Sequence, residues 1–193
     1  MNPSMASVII IAVLIVIFIF YGISIYNHLV NLKNNVARAW ANIDVLLKQR
    51  HDEIPKLVET CKQYMGYEQG TFEQVMQARS GVYQASDAGD VKAVGVAESE
   101  LRNGLGKLFA LAEAYPDLHA NDSFANLQQR ISTLESSISD RREFYNDSVN
   151  LLNTRIEQFP HVLIARRFGF KSAEMLSFSQ EQTRDVDLKS LFN

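Results

Sequence analysis

The residues able to do chemistry are few, and their spacing matches no catalytic pattern. The four histidines are His28, His51, His119 and His161; the first follows an apolar stretch and the others fall at expected turns, where polar side chains are ordinarily solvated. Helical bundles hold paired metal ions with Glu-x-x-His pairs on two helices, and no Glu stands three residues before any of these histidines. His51-Asp52-Glu53 is the one compact polar cluster. Helix capping explains Asp52 and Glu53, and an acid–base or metal role lacks partner groups. The single cysteine, Cys61, cannot close an internal disulfide, and its helical context marks it as a small buried apolar residue. Gly-rich phosphate loops, nucleophile elbows and zinc-type cysteine spacings are absent from the sequence. We therefore expect no catalytic residue, no metal ligand and no cofactor.

Asparagines inside expected helices carry a different chemistry: Asn27, Asn34 and Asn42 in the first, Asn146, Asn150 and Asn153 in the last. Asparagine is a mediocre helix former, so several along two helices suggest side-chain hydrogen bonds that fix register. Exposure to water is the plainer reading for any one of them. If the last helix returns to where the first begins, Asn146 and Asn153 lie near Asn27 and Asn34 as a membrane-proximal polar layer.

The element that would position this layer is the apolar stretch Val8–Tyr21, VIIIAVLIVIFIFY. Extended to Ala6 and Ile25 it carries no charge and reaches the ~20 residues a helix needs to cross a bilayer. A secretory signal ordinarily has a basic start, and no Lys or Arg precedes this run. Gly22 and Ser24 do supply the small-x-small pair that cleavage uses; a retained anchor is the preferred reading. Lys33 and Arg38 follow the run and only the α-amino group precedes it, so the N-terminus is expected outside and the domain cytoplasmic, at an inner membrane.

Beyond the span, four prolines and nine glycines leave room for long helices. Leu29, Val36, Trp40, Ile43 and Leu47 form a helical stripe. Asp52 as N-cap with Pro55 in the following first turn predicts a helix–helix turn at Arg50–Pro55. One long helix through Pro55 would lose a backbone bond at about 3 kcal/mol. A second helix is expected over Glu53–Gln84, loosened by Gly66 and Gly70, and a third from Asp90 to Tyr115. In the fourth, Phe124, Ile131, Ile138, Tyr145, Leu152 and Phe159 repeat at heptad spacing, which implies coiled-coil-like packing. The expected fold is all-α: one transmembrane helix over residues 1–28, then an antiparallel, up-down-up-down four-helix bundle over 29–159.

Counting helices brings Pro160 back to the membrane; a single rod in place of helices one and two would end the chain at the far tip. Residues 160–193 form a tail that starts with HVLIARRFGFKSAEMLSF. Arg166, Arg167, Phe168, Phe170 and Lys171 are the candidate membrane-interface residues, since mixed apolar and basic side chains suit anionic headgroups. Packing of the phenylalanines on the bundle is the equal alternative. The polar stretch Ser179–Asn193 is expected to be mobile.

Two stretches resemble the LemA family. The first runs from Tyr26-Asn27 through Leu29-Val30, Ala39-Trp40, Ile43-Asp44-Val45, Leu47-Lys48, Arg50, Ile54-Pro55 and Leu57-Val58-Glu59-Thr60 to Tyr64 and Ala78-Arg79. The second comprises Tyr145-Asn146, Val149, Asn153, Ile156, Phe159-Pro160 and Phe168-Gly169-Phe170. The resemblance implies a bacterial protein with one N-terminal membrane helix and a helical domain, implies no catalytic residues, and hints at membrane organisation.

With a formal charge of −3 there is no basic bias for nucleic acid. The expected function is a non-enzymatic membrane-anchored scaffold that binds partner proteins or copies of itself. The alternative is a carrier of a small ligand held between helices near Gly66, Gly70, Gly104 and Gly106.

Overall fold

Every regular element among the described residues is an α-helix: α1 Pro3–Lys62, α2 Gln69–Asp87, α3 Val91–Ala112, α4 Pro116–His119, α5 Asp122–Glu157 and α6 His161–Phe168. This computed structural model describes residues 3–177, with the backbone alone at 3–6 and 8. The expectation for Ser179–Asn193 lies outside the described residues, as does Phe178 of the interface segment.

The expected turn at Arg50–Pro55 does not form. The first helix continues through Pro55 to Lys62, and the chain turns at residues 63–68 instead. Two physical reasons favour the later break. Proline cannot donate the bond that the carbonyl four residues earlier would accept, which orphans the carbonyl of His51. Arg79 Nε donates to that oxygen at 2.7 Å. A hydrogen bond from a charged donor contributes about 1.5–3 kcal/mol, comparable to the proline penalty. The buried face also runs on without a phase break, through Leu47, Ile54, Leu57, Val58 and Cys61. At Gly66 and Gly70 each glycine weakens a helix by about 1 kcal/mol. There the helix ends with Met65 N–H donating to the Cys61 carbonyl at 2.9 Å and the Met65 side chain fully buried. The break thus moves from Pro55 to residues 63–68 rather than disappearing.

The remaining boundaries follow local rules. Gly89 takes the positive φ of 67° that ends the α2–α3 turn. Asp90 then caps α3 by accepting from Ala93 N–H at 2.9 Å. Asn121 caps α5 through Phe124 N–H at 3.1 Å. Helices α2 and α3 approach closely at small residues. A Cβ on Gly104 would lie 3.3 Å from Val75 Cγ2, and one on Gly81 would lie 3.7 Å from Ala97 Cβ.

Packing divides the chain into two compact units. The first takes the described residues up to Trp40 together with Tyr145–Ala173. Its buried residues include Ile25, Leu29, Leu32, Val36, Ala39, Tyr145, Val149, Leu152 and Ile156. Trp40 stacks obliquely on Tyr145 with ring centroids 5.5 Å apart. The second takes Ala41–Phe144 with the described residues from Glu174. Its core holds Ile43, Ile54, Val75, Leu101, Leu105, Leu108, Phe124 and Ile131. On α5 the heptad residues Phe124 to Leu152 are buried, but Phe159 is 79% exposed; α5 has ended at Glu157, so Phe159 stands beyond the seam.

Candidate functional site

In the first unit the apolar helix keeps its side chains outside. Phe18 is 76% and Phe20 67% exposed, and Ile9 to Ile19 are likewise open. Such a surface is at odds with water and suits lipid. Its C-terminal part is where α6 docks. Ile164 Cδ1 lies 4.0 Å from where a Cβ on Gly22 would stand. The Tyr26 ring meets Phe168 at 4.8 Å and Phe170 at 5.8 Å between centroids. The His28 and His161 rings stand 6.1 Å apart. Helix α6 closes on Gly169, whose φ of 70° lets Phe170 N–H return to the Ala165 carbonyl at 3.0 Å. Asn153 then holds the segment that follows: its Nδ2 donates to the Ala173 carbonyl at 3.0 Å and its Oδ1 accepts from Ala173 N–H at 2.9 Å.

The expected interface residues separate by face. Phe168 and Phe170 turn their rings to Tyr26; Phe170 is half-buried there, while Phe168 keeps 58% of its surface exposed with Arg167 over its ring at 5.9 Å. Arg166, Arg167 and Lys171 are exposed. Leu163, one turn before Arg166 and Arg167, is 58% exposed, and Phe159, before the helix, is 79% exposed. The four asparagines of the expected polar layer fall in this same unit. Asn27 and Asn34 face solvent and Asn146 is half-buried; Asn153 pairs with backbone across the turn instead of with a helix asparagine. His161 is half-buried, and burial, with the Arg155 charge and His28 behind it, holds its pKa below the ordinary value.

The second unit contains a polar layer that the sequence reading missed. Arg50, 1% exposed, pairs with the equally buried Glu98 of α3. Glu53, 6% exposed, accepts from Arg130 of α5 at 2.6 Å and from Lys56 at 3.2 Å. His51 accepts through Nε2 from Arg79 Nη2 at 2.6 Å, and its ring lies against Tyr83 at 4.8 Å. Burial and then the Arg79 charge lower the His51 pKa, which keeps the imidazole neutral and able to accept. Glu53 is thus a buried ion-pair partner rather than a capping residue, while Asp52 is exposed. The available signal was the position of Arg50 and Glu53 on the apolar side of the helix, between Leu47 and Leu57. Each carboxylate in this layer is paired with a guanidinium or ammonium group, an arrangement that locks helices together, while Glu53 Oε2, Arg50 Nη1 and His51 Nδ1 are buried without a hydrogen-bond partner.

Among the described residues no group of three or more His, Cys, Asp and Glu side chains is placed to hold a metal ion. Burial pushes the Cys61 thiol up to about 12, so it is an inert core residue. A cleft of about 350 Å³ opens beside Gly66, lined also by Lys62, Met65, Gln69, Phe72 and Glu73. Gly104 instead packs on Val75.

Magnetosome protein MamQ 2 of Paramagnetospirillum magneticum is 24% identical, across 90% of this chain and 72% of its own length. Magnetosome protein MamQ of Magnetospirillum gryphiswaldense is 23% identical, across 77% of this chain and 63% of its own. Protein LemA of Metamycoplasma hominis is 25% identical, across 92% of this chain and 80% of its own. The LemA family profile matches residues 39–189, most of the sequence from Ala39 onward, and the chain belongs to the LemA family.

Proposed function

We propose that the protein is a non-enzymatic, membrane-anchored scaffold that presents a rigid helical domain to partner proteins or to copies of itself. The observation that carries this reading is the docking of α6 on the C-terminal part of the apolar helix, through Tyr26, Phe168 and Phe170. A span that only tethered a mobile domain would need no second element fixed beside it. In this reading α1, α2, α3 and α5 run up, down, up and down as an antiparallel four-helix bundle, a count that returns the chain to the membrane at Pro160. Lys33 and Arg38 hold the domain on the cytoplasmic side, with the N-terminus outside. The magnetosome relatives favour a role in membrane organisation. The motifs of the sequence match no catalytic constellation, and the buried charges of the second unit are engaged in ion pairs between helices.

Two experiments test this. Mass spectrometry of proteins retained with the full chain from native membranes should return a reproducible partner or further copies of the chain. Size determination in detergent should give an assembly larger than a monomer. A monomer with no retained protein would sink the scaffold. The second reading, a small-ligand carrier, draws on the cleft beside Gly66; a monomer stabilised against heat by a metabolite would favour it.

A further inference from the structure

We infer that the outer face of α6 is a binding surface for anionic phospholipid headgroups of the same bilayer that α1 crosses. This rests on the anchored reading given above and adds the partner. The two faces of α6 are chemically different. One is occupied: Ala165 is buried and Ile164 reaches Gly22, with Phe168 at its edge, one side on Tyr26 and 58% of its surface open under the Arg167 guanidinium at 5.9 Å. The other is open, with Leu163 58% exposed and Arg166 and Arg167 exposed one turn later. Phe159, 79% exposed, precedes the helix and exposed Lys171 follows it.

Large apolar side chains left open beside clustered cations are expensive in water, and both parts are satisfied at a lipid headgroup level. Position selects this occupant. The occupied face fixes α6 to Gly22 and Tyr26, directly after the exposed apolar run of α1, so a bilayer around that run ends where α6 begins. The apolar surface of the span and that of Phe159 and Leu163 then meet one continuous hydrocarbon boundary. Arg166, Arg167 and Lys171 reach the phosphate layer from its polar side, as basic side chains at interfaces do. A docked helix has already lost its freedom to reorient, so headgroup contact need not order it first.

The test uses the full chain in nanodiscs, with Leu163→Cys carrying a fluorophore and nitroxide-labelled lipid as quencher. Buried Cys61, with its raised pKa, stays unlabelled. Phe18→Cys, labelled in parallel, reports the span. The expected result is quenching at position 18 in every bilayer. At position 163 quenching is strong in phosphatidylglycerol-containing discs and weaker in pure phosphatidylcholine. Adding R166Q and R167Q should weaken the position-163 insertion about fivefold per charge removed, the equivalent of ~1 kcal/mol for each basic residue near an anionic surface. R166K with R167K should retain it, which separates charge from a folding defect. Quenching at 18 with none at 163, or with the same quenching at 163 in both lipids, overturns the lipid surface alone. No quenching at 18 overturns the anchor and this inference with it. Loss of quenching in the lysine pair as well as the glutamine pair also overturns the charge-based account.

Discussion

The two compact units solve opposite packing problems with opposite materials. The first exposes a nearly unbroken apolar helix, holds α6 on it by ring contacts, and fixes the segment after α6 to α5 by a side-chain-to-backbone pair at Asn153. The second hides charge, with Arg50, Glu53 and Glu98 all buried and each bonded to an oppositely charged partner. In lipid, apolar contacts gain little from solvent release, so close packing and polar pairing must hold elements together. In a water-facing domain, apolar burial supplies the stability, and buried ion pairs contribute mainly by penalising the wrong arrangement. The contrast teaches that one helix, α1, serves both regimes, and that its composition changes near Trp40 where its neighbours change.

The strongest way to break this contrast is to unpair the second unit. Arg50→Ala leaves Glu98 buried without its partner and should lower stability by about 3–5 kcal/mol, read by denaturant melting. Arg50→Met with Glu98→Leu together should recover most of that loss, because a charge-free pair leaves no buried ion. Equal losses in the single and double variants would show that the pair does not act as a unit.

A smaller effect is expected where α1 passes Pro55. Arg79→Ala removes the donor to the His51 carbonyl and should cost about 1.5–3 kcal/mol. In a Pro55→Ala background the helix recovers its own bond to that carbonyl, so the same Arg79→Ala change should cost clearly less. A double-mutant cycle measures the coupling. Additive losses would mean that Arg79 does not compensate the proline.

In the first unit, Asn153→Leu should release the segment at Ala173 and cost about 1–3 kcal/mol for its two hydrogen bonds. Faster amide exchange at Ala173, with the α2–α3 pair unchanged, is the expected signature. Unchanged exchange would count against the Asn153 pairing. The mildest prediction concerns pH. His51 has a folded pKa below its ordinary value, through burial and then the Arg79 charge, so the unfolded chain takes up the proton first. Its contribution is present above that value and is lost as the pH falls through the folded pKa. Thermal stability should decline on acidification, less steeply in His51→Gln; identical slopes would remove His51 from the account.

How much of this could be read from sequence differs between the regions for a physical reason. The long apolar N-terminal helix and the buried α5 heptads from Phe124 to Leu152 are local patterns, and each is where the residues put it. The meeting of Tyr26 with Phe168 and Phe170 joins positions far apart in the chain, which no local pattern specifies. Pro55 misled because its local penalty is answered by Arg79 on another helix, a contact no window of sequence contains. Arg50 and Glu98 were illegible for the same reason: each looks like a surface charge until its partner is known. Phe159 continued the heptad in sequence, but α5 stops before it.

The docking of α6 on the C-terminal part of the apolar helix is the claim on which the anchored reading most depends. It is tested by replacing Tyr26 and Phe168 with cysteine in the full chain and treating native membranes with a short bifunctional thiol reagent. The centroids of the two native rings are 4.8 Å apart, and Cys61 is buried and protonated. The account predicts rapid cross-linking within one chain, detected as a closed loop that survives cleavage between the two positions. No cross-link, in protein whose two cysteines each react with a monofunctional maleimide, would contradict it.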